Sequence, residues 1–327
     1  MWKMIRTFRA PLLCILSLGI AAAACAEDAD SLLAGELDRM ASAHYLPTVT
    51  ATFGTFTYAY DGLPSPFARW LEDRLADAAA RSTRVRLLNC SAAAAMDPAF
   101  RKVYEGVFKS KDIGALLHGR YFDEGNVVRA RLELTGLSDG ILIGSAELRI
   151  PKGSIPAGIA IDPSKAAQIL AESIGGLITE PAGELKVSVS TDKGAGAVYR
   201  EGELMTVLVT ATRDAWIKVY HIDSTGKAQL VWPNGFGGSG RIAAGQVLGI
   251  PSEGAPFAFK MTQPYGTEFL KVVASTDPFT SREGDFIDLP GEARSAISRG
   301  IEIVPGRLST KPERAEATTS YLIMPRD

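Results

Sequence analysis

The chain has 327 residues, 46% hydrophobic and 22% charged, enough apolar material for about two globular domains. Its net charge is −2, from 35 Lys and Arg against 37 Asp and Glu, so it lacks the basic footprint of a nucleic-acid binder.

The first 25 residues read as an export leader. Lys3, Arg6 and Arg9 form a positive start, and residues 11–24 form an apolar run too short for a comfortable membrane span. These are the leader's only charges, so its removal takes the net charge from −2 to −5. Two processing routes fit. Ala24-Cys25-Ala26 has the small-x-small form of a cleavage site and would leave a soluble periplasmic protein beginning near Glu27. Ala22-Ala23-Ala24-Cys25 resembles a relaxed bacterial lipobox, without the usual Leu, and would make Cys25 the acylated first residue and a membrane anchor. Residues 26–47 follow as a polar tether and a short helix, with Ser31 as its cap and Leu32, Leu33, Leu37 and Met40 on one face.

Of the three cysteines, Cys14 and Cys25 belong to the leader and its edge. Cys90 is then left without an intrachain partner, and no disulfide framework or CxxC metal site can form.

Residues 48–180 carry a compact α+β pattern. Residues 48–60 read as a strand, rich in Thr, Phe and Tyr. Residues 67–81 carry Phe67, Trp70, Leu71, Leu75 and Ala79 at the spacing of a helix with one buried face. Residues 84–89 read as a second strand. Residues 97–108 form a second helix facing inward through Phe100, Val103, Tyr104 and Val107. Three strands follow at 115–122, 127–135 and 141–150, then a helix at 163–178 with Ala166, Ile169, Leu170 and Ile174 inward. That order predicts a mixed sheet with helices packed on one face. The segments Ala51-Thr52-Phe53-Gly54, Arg69-Trp70-Leu71-Glu72-Asp73-Arg74-Leu75 and Arg84-Val85-Arg86-Leu87-Leu88 resemble the N-terminal domain of bacterial envelope accessory proteins. These include the curli-secretion and flagellar outer-membrane lipoproteins and the TolB type. The resemblance transfers no catalytic residue.

Pro181-Ala182-Gly183 marks a boundary, and from Leu185 the apolar period is close to two. Strands are expected at 185–190, 203–212, 215–222, 227–232, 246–250, 257–261, 268–275 and 318–324, the pattern of an all-β sandwich over 185–327. Residues 276–314 interrupt it as an insertion with a helix at 291–299, and the polar run 305–317 reads as a solvated loop. Tyr199-Arg200-Glu201-Gly202-Glu203, Val219-Tyr220-His221-Ile222-Asp223, Leu230-Val231-Trp232-Pro233-Asn234 and Tyr265-Gly266-Thr267-Glu268 together resemble the DUF4384 family, a bacterial domain of unknown function. The resemblance implies an immunoglobulin-like fold, carried as an accessory module, and no reaction.

Chemistry-bearing residues are sparse. His44, His118 and His221 have no neighbours at metal-ligand spacing, and His221 is expected to pair with Asp223 two residues along the strand. The glycine-rich stretch from Gly235 to Gly240 lacks the lysine and following helix of a phosphate cradle, so no cofactor is assigned. Trp232, Asn234, Phe236, Tyr265 and Glu268 are the candidate partner surface, with Phe269 converging on the same end. The expected function is that of a non-enzymatic envelope protein binding other envelope proteins or wall polymer. Two other readings stand beside it. One is a wall-glycan hydrolase using paired carboxylates such as Glu201 and Glu268. The other is a small-ligand sensor with a deep pocket lined by Phe56, Tyr58 and Trp70.

Overall fold

The computed structural model describes residues 26–42, 47–91, 93–175, 183–236, 238–279 and 312–326. The leader with Cys25, His44 and the expected helix at 291–299 lie outside these residues.

The first sheet has five strands: β1 (Val49–Tyr58), β2 (Val85–Ser91), β3 (Ala115–Glu124), β4 (Val127–Gly136) and β5 (Leu142–Pro151). Their order is β2-β1-β3-β4-β5. β1 runs parallel to β2 and β3, and β3, β4 and β5 form an antiparallel meander, so the sheet is mixed as expected. Helix α1 (Ala26–Ala41) takes in the residues read as a tether. Ser31 therefore lies within the helix and not at its cap. Leu37, Met40 and Ala41 are buried on the sheet, whereas Leu32 stays exposed. Asp38 of α1 accepts hydrogen bonds from Ser82 Oγ, Thr83 N and Oγ1, and Arg84 N, which ties α1 to the loop before β2.

Helix α2 (Pro66–Ala79) connects β1 to β2. Ser65 caps it, accepting from Phe67 N at 3.3 Å, and Pro66 occupies the first turn, where no amide donor is needed. Ser65 Oγ also lies 2.7 Å from Tyr121 Oη and donates to Ile161 O, so the cap is fixed by the core beneath it. Helix α3 (Pro98–Lys111) is capped by Asp97 and ends at Asp112 in a left-handed conformation. Val103 and Val107, expected inward, are exposed; the buried stripe is Phe100 and Phe108, with Tyr104 packed beside them. α3 also corrects the one-face arrangement. It packs with Leu88, Leu116 and Leu137 on the sheet face opposite the one that meets α1 and α2.

The second half holds β6 (Val187–Thr191), β7 (Ala197–Arg200), β8 (Leu204–Met205), β9 (Val207–Ala211), β10 (Ala215–Ile222) and β11 (Ala228–Trp232). β12 (Arg241–Ile242), β13 (Val247–Ile250), β14 (Phe259–Lys260), β15 (Gly266–Ser275) and β16 (Arg314–Met324) complete it. One sheet runs β11-β10-β15-β16-β7 with β12 beside β10; a second runs β13-β9-β6; β8 and β14 pair separately. The two larger sheets enclose one apolar core, the expected sandwich. β7 was not anticipated, and β16 begins within the stretch read as a solvated loop. The strand expected over 203–212 breaks at Thr206, whose amide donates to Asp192 Oδ1 and whose carbonyl accepts from Asp192 N.

The two halves share strands. Along β7 and the end of β16, Ala197, Tyr199, Tyr321 and Ile323 enter the sandwich core, while Val198 and Leu322 enter the core of the first sheet. Helix α4 (Lys165–Gly175) packs against the sandwich as well, through Ala167 and Ile174 on Ile222, Ala228 and Phe269. Ile169 and Ala166, expected inward, are exposed. From the other side, Phe100 of α3 meets Leu208, and Tyr104 Oη donates to Asp192 O at 2.7 Å.

At this joint Arg200 lies 3.9 Å from Asp73, and Arg69 pairs with Glu72 and Asp73 on α2. Burial pushes the Glu72 carboxyl up to about 7; Arg69 at 3.4 Å pulls it down, and neighbouring Asp73 adds repulsion in the upward direction.

Two predictions follow from the shared strands and from Glu72. In variants retaining only Trp70 or only Trp232, fluorescence-detected denaturant curves should superimpose. Leu322→Ala should shift both by about 2–4 kcal/mol, the cost of a buried cavity; separate midpoints would contradict a shared strand. The raised Glu72 carboxyl favours the folded state fully below its unfolded value of 4.5, and that contribution is lost as pH rises through about 7. Glu72→Gln should therefore raise the melting temperature at pH 8 and leave it nearly unchanged at pH 4, read by calorimetry.

Candidate functional site

β10 and β11 form a hairpin closed by Asp223-Ser224-Thr225-Gly226. Asp223 Oδ1 accepts from Thr225 N, Thr225 Oγ1 and Lys227 N. β11 then stops at Trp232-Pro233, since Pro233 offers no amide to a ladder. Asn234 shapes the turn that follows. Its Nδ2 donates to Val231 O at 3.1 Å and its Oδ1 accepts from Phe236 N at 3.0 Å. Gly238 lies on the Trp232 ring with φ of 98°, where a Cβ would enter the indole at 2.1 Å.

This turn projects Phe236, which is 66% exposed. Phe236 stacks on Phe257 with centroids 5.6 Å apart and planes at 21°, and Phe257 stacks on Trp232 at 6.4 Å and 26°. Phe259 meets Phe257 edge-on at 5.6 Å. The result is an aromatic ladder whose inner end is anchored on the sandwich core and whose outer end faces solvent. Phe257 and Phe259 were not singled out in the sequence. Only their place in an expected strand beside another aromatic marked them.

Of the five residues expected to form one surface, the structure joins Trp232, Asn234 and Phe236. Tyr265 makes no ring contact with the ladder among the described residues. Its hydroxyl donates to Glu201 Oε2 at 2.9 Å and accepts from Gln263 Nε2 at 3.2 Å. Phe269 is buried under α4. Glu268 is 2% exposed and belongs to the interior. His221 Nε2 lies 2.7 Å from its Oε2, and Tyr321 Oη donates to the same oxygen at 2.9 Å. Burial and the Glu268 carboxylate hold the Tyr321 phenol well above its usual range. His221 thus pairs across the sheet with Glu268, and not with Asp223, which is occupied by the hairpin turn.

Glu201 and Glu268 are each held by different partners, the first by Tyr265 and the second by His221 and Tyr321. Phe56, Tyr58 and Trp70 are taken up by packing and do not line the hollow beside β2. They interlock with Phe53, Phe67 and Tyr121 as a filled core. A shallow hollow of about 340 Å³ lies elsewhere, beside β2, lined by Phe53, Ala76, Ala79, Val85 and Leu87. His118 bonds Thr135 Oγ1 at 2.9 Å, and burial holds its imidazole below the usual value. Among the described residues no set of three or more His, Cys, Asp or Glu side chains is placed to hold a metal ion. Among the same residues no helix is long and apolar enough to cross a membrane.

Residues 198–278 match a domain of unknown function, DUF4384, as the residue patterns implied. The match takes in the ladder and the His221–Glu268 pair but stops short of β16. Among solved structures, the chain is similar to the LpoB C-terminal domain from Salmonella enterica, at 12% identity and a TM-score of 0.28, covering 36% of this chain and 95% of that one. It is similar to the LpoB C-terminal domain from Escherichia coli at 13% identity and 0.27, covering 36% and 94%. It is similar to TolB from Acinetobacter baumannii at 12% identity and 0.22, covering 69% of this chain and 57% of that one. No curated protein matches the chain.

The buried carboxylate and the exposed ladder separate by stability. Glu268→Ala leaves Tyr321 Oη buried without its acceptor and should cost about 1–3 kcal/mol in denaturant unfolding. Phe236→Ser should fall within about 0.5 kcal/mol of the parent protein.

Proposed function

We propose that this chain is an exported bacterial cell-envelope protein, anchored as a lipoprotein through Cys25, that works as a non-enzymatic binding or assembly module. The observation that carries the reading is the ladder. Phe236, Phe257 and Trp232 are stacked, stiffened by the Asn234 turn and exposed at the outer end. Rigid aromatics of this kind gain contact area at little entropic cost and anchor protein interfaces. The leader motif and the cysteine at its edge support the location, and the accessory-module resemblance of the second half supports the role. The partner class is envelope protein or wall polymer. The engagement of Glu201 and Glu268 with separate partners gives no support to a paired-carboxylate hydrolase, and the filled core around Phe56, Tyr58 and Trp70 gives none to a ligand sensor.

Both parts of the reading are testable in a bacterial host. Metabolic labelling with a clickable palmitate analogue should mark the parent protein and not Cys25→Ala; an unlabelled mature chain beginning at Glu27 would refute the anchor. A photo-crosslinking residue at position 236 should yield a discrete envelope adduct that Phe257→Ser weakens. Recovery of uncrosslinked monomer alone would refute the ladder as a binding surface.

A further inference from the structure

The first sheet has a second face that α1 and α2 do not reach. Along β3, β4 and β5 the inward residues are apolar, among them Tyr121, Ala130, Leu132, Ala146 and Leu148. The residues between them point the other way. At one end of that outer face Leu88 and Leu116 are covered by α3. At the other end it carries Arg120, Phe122, Arg129, Arg131, Glu147 and Arg149.

The strand register places arginines opposite each other twice. Arg120 is the partner of Arg131 across β3 and β4, and Arg129 is the partner of Arg149 across β4 and β5. Like charges directly opposite on neighbouring strands are unfavourable. The second pair is compensated, because Glu124 lies 2.6 Å from Arg129 and 3.6 Å from Arg149. The first pair is compensated only in part. Glu133 holds Arg131 Nε at 2.9 Å, and among the described residues Arg120 has no ion pair. Arg131 is 56% exposed. Beside the pair, the Arg129 guanidinium lies 4.0 Å above the Phe122 ring, and Tyr60, 69% exposed, stands edge-on to that ring at 5.8 Å.

We propose that this face binds an acidic protein segment, one carboxylate of which sits between Arg120 and Arg131 while Tyr60 packs on the same segment. A carboxylate matches the planar guanidinium fork and relieves the repulsion between the two arginines. Exposed Tyr and Arg together are the residue types that concentrate interface energy. The interspersed Glu124, Glu133 and Glu147 select against a continuous anionic surface such as a phospholipid headgroup layer. A flexible segment can space its carboxylates around them. The site is independent of the aromatic ladder, which lies on the other half of the molecule.

Fluorescence anisotropy with a labelled peptide of alternating Glu and Ser tests the proposal on the full chain. Arg120→Glu should weaken binding by about ten-fold, Tyr60→Ala by about three-fold, and Arg120→Lys by an intermediate factor because lysine keeps the charge and loses the fork. Lys102→Glu with Lys109→Glu, on α3, should change nothing; no variant should lower the parent melting temperature, and Arg120→Glu, which replaces the Arg–Arg repulsion with an opposite-charge pair, should hold or slightly raise it. The proposal is overturned if the peptide does not bind the parent protein or if the α3 variant loses as much as Arg120→Glu. It is equally overturned if phosphatidylglycerol vesicles bind more tightly than the peptide and depend on Arg120.

Discussion

β7 and the end of β16, from Tyr321 to Ile323, are buried on both faces, and the rest of the molecule depends on that constraint. In register, Tyr321 lies beside Ala197, Leu322 beside Val198 and Ile323 beside Tyr199. Over this stretch Ala197, Tyr199, Tyr321 and Ile323 serve the sandwich, and Val198, Leu322 and Met324 serve the first sheet. Because side chains alternate with a period of two, a slip of one residue would exchange the contents of two cores at once. The turn before β7 is fixed accordingly. Asp192 holds Tyr199 Oη and Thr206 N through its carboxylate and receives Tyr104 Oη on its carbonyl, so one residue sets the register of β7 and the seat of α3.

The same economy governs where charge and aromatic surface are placed. Glu268, Lys271 and Glu316 lie inside or at the edge of packed layers with specific partners. Buried ions are costly unless paired, so these groups serve the architecture. The aromatic side chains of the ladder do the reverse. Apolar rings are carried outward along a stack, from Trp232 to Phe236, by a turn whose backbone is closed by Asn234. Ordered hydrophobic area left in water in this way is the feature on which the proposed binding surface rests.

Much of the architecture was legible because it follows from local pattern. β10 occupies the span that alternation alone predicts, and α2 follows from Ser65-Pro66 and the Phe67, Leu71, Leu75 stripe. The failures have physical causes. In α3 the spacings from Phe100 admit two stripes, one through Val103 and Val107 and one through Tyr104 and Phe108; neighbouring Leu116 and Leu208 decide for the second. In α4 the sandwich face chooses Ala167 over Ile169 for close approach, which no helical period reveals. β7 is four residues long and hides behind glycines. The partner of His221 sits 47 residues away on β15, so adjacency in the chain pointed to Asp223 instead. The aromatic surface was half visible. Trp232 and Phe236 stood out beside Pro233, but Phe257 joins them only through folding.

The place of β16 in the chain has a consequence for how the molecule comes to exist. A polypeptide made from its N-terminus delivers every other described strand before residues 314–324 arrive. Until then β15 and β7 lack the strand that lies between them, the sandwich lacks Tyr321 and Ile323, and the first core lacks Leu322. Both interiors therefore stay incomplete until the last strand is made, and a single late segment seals both.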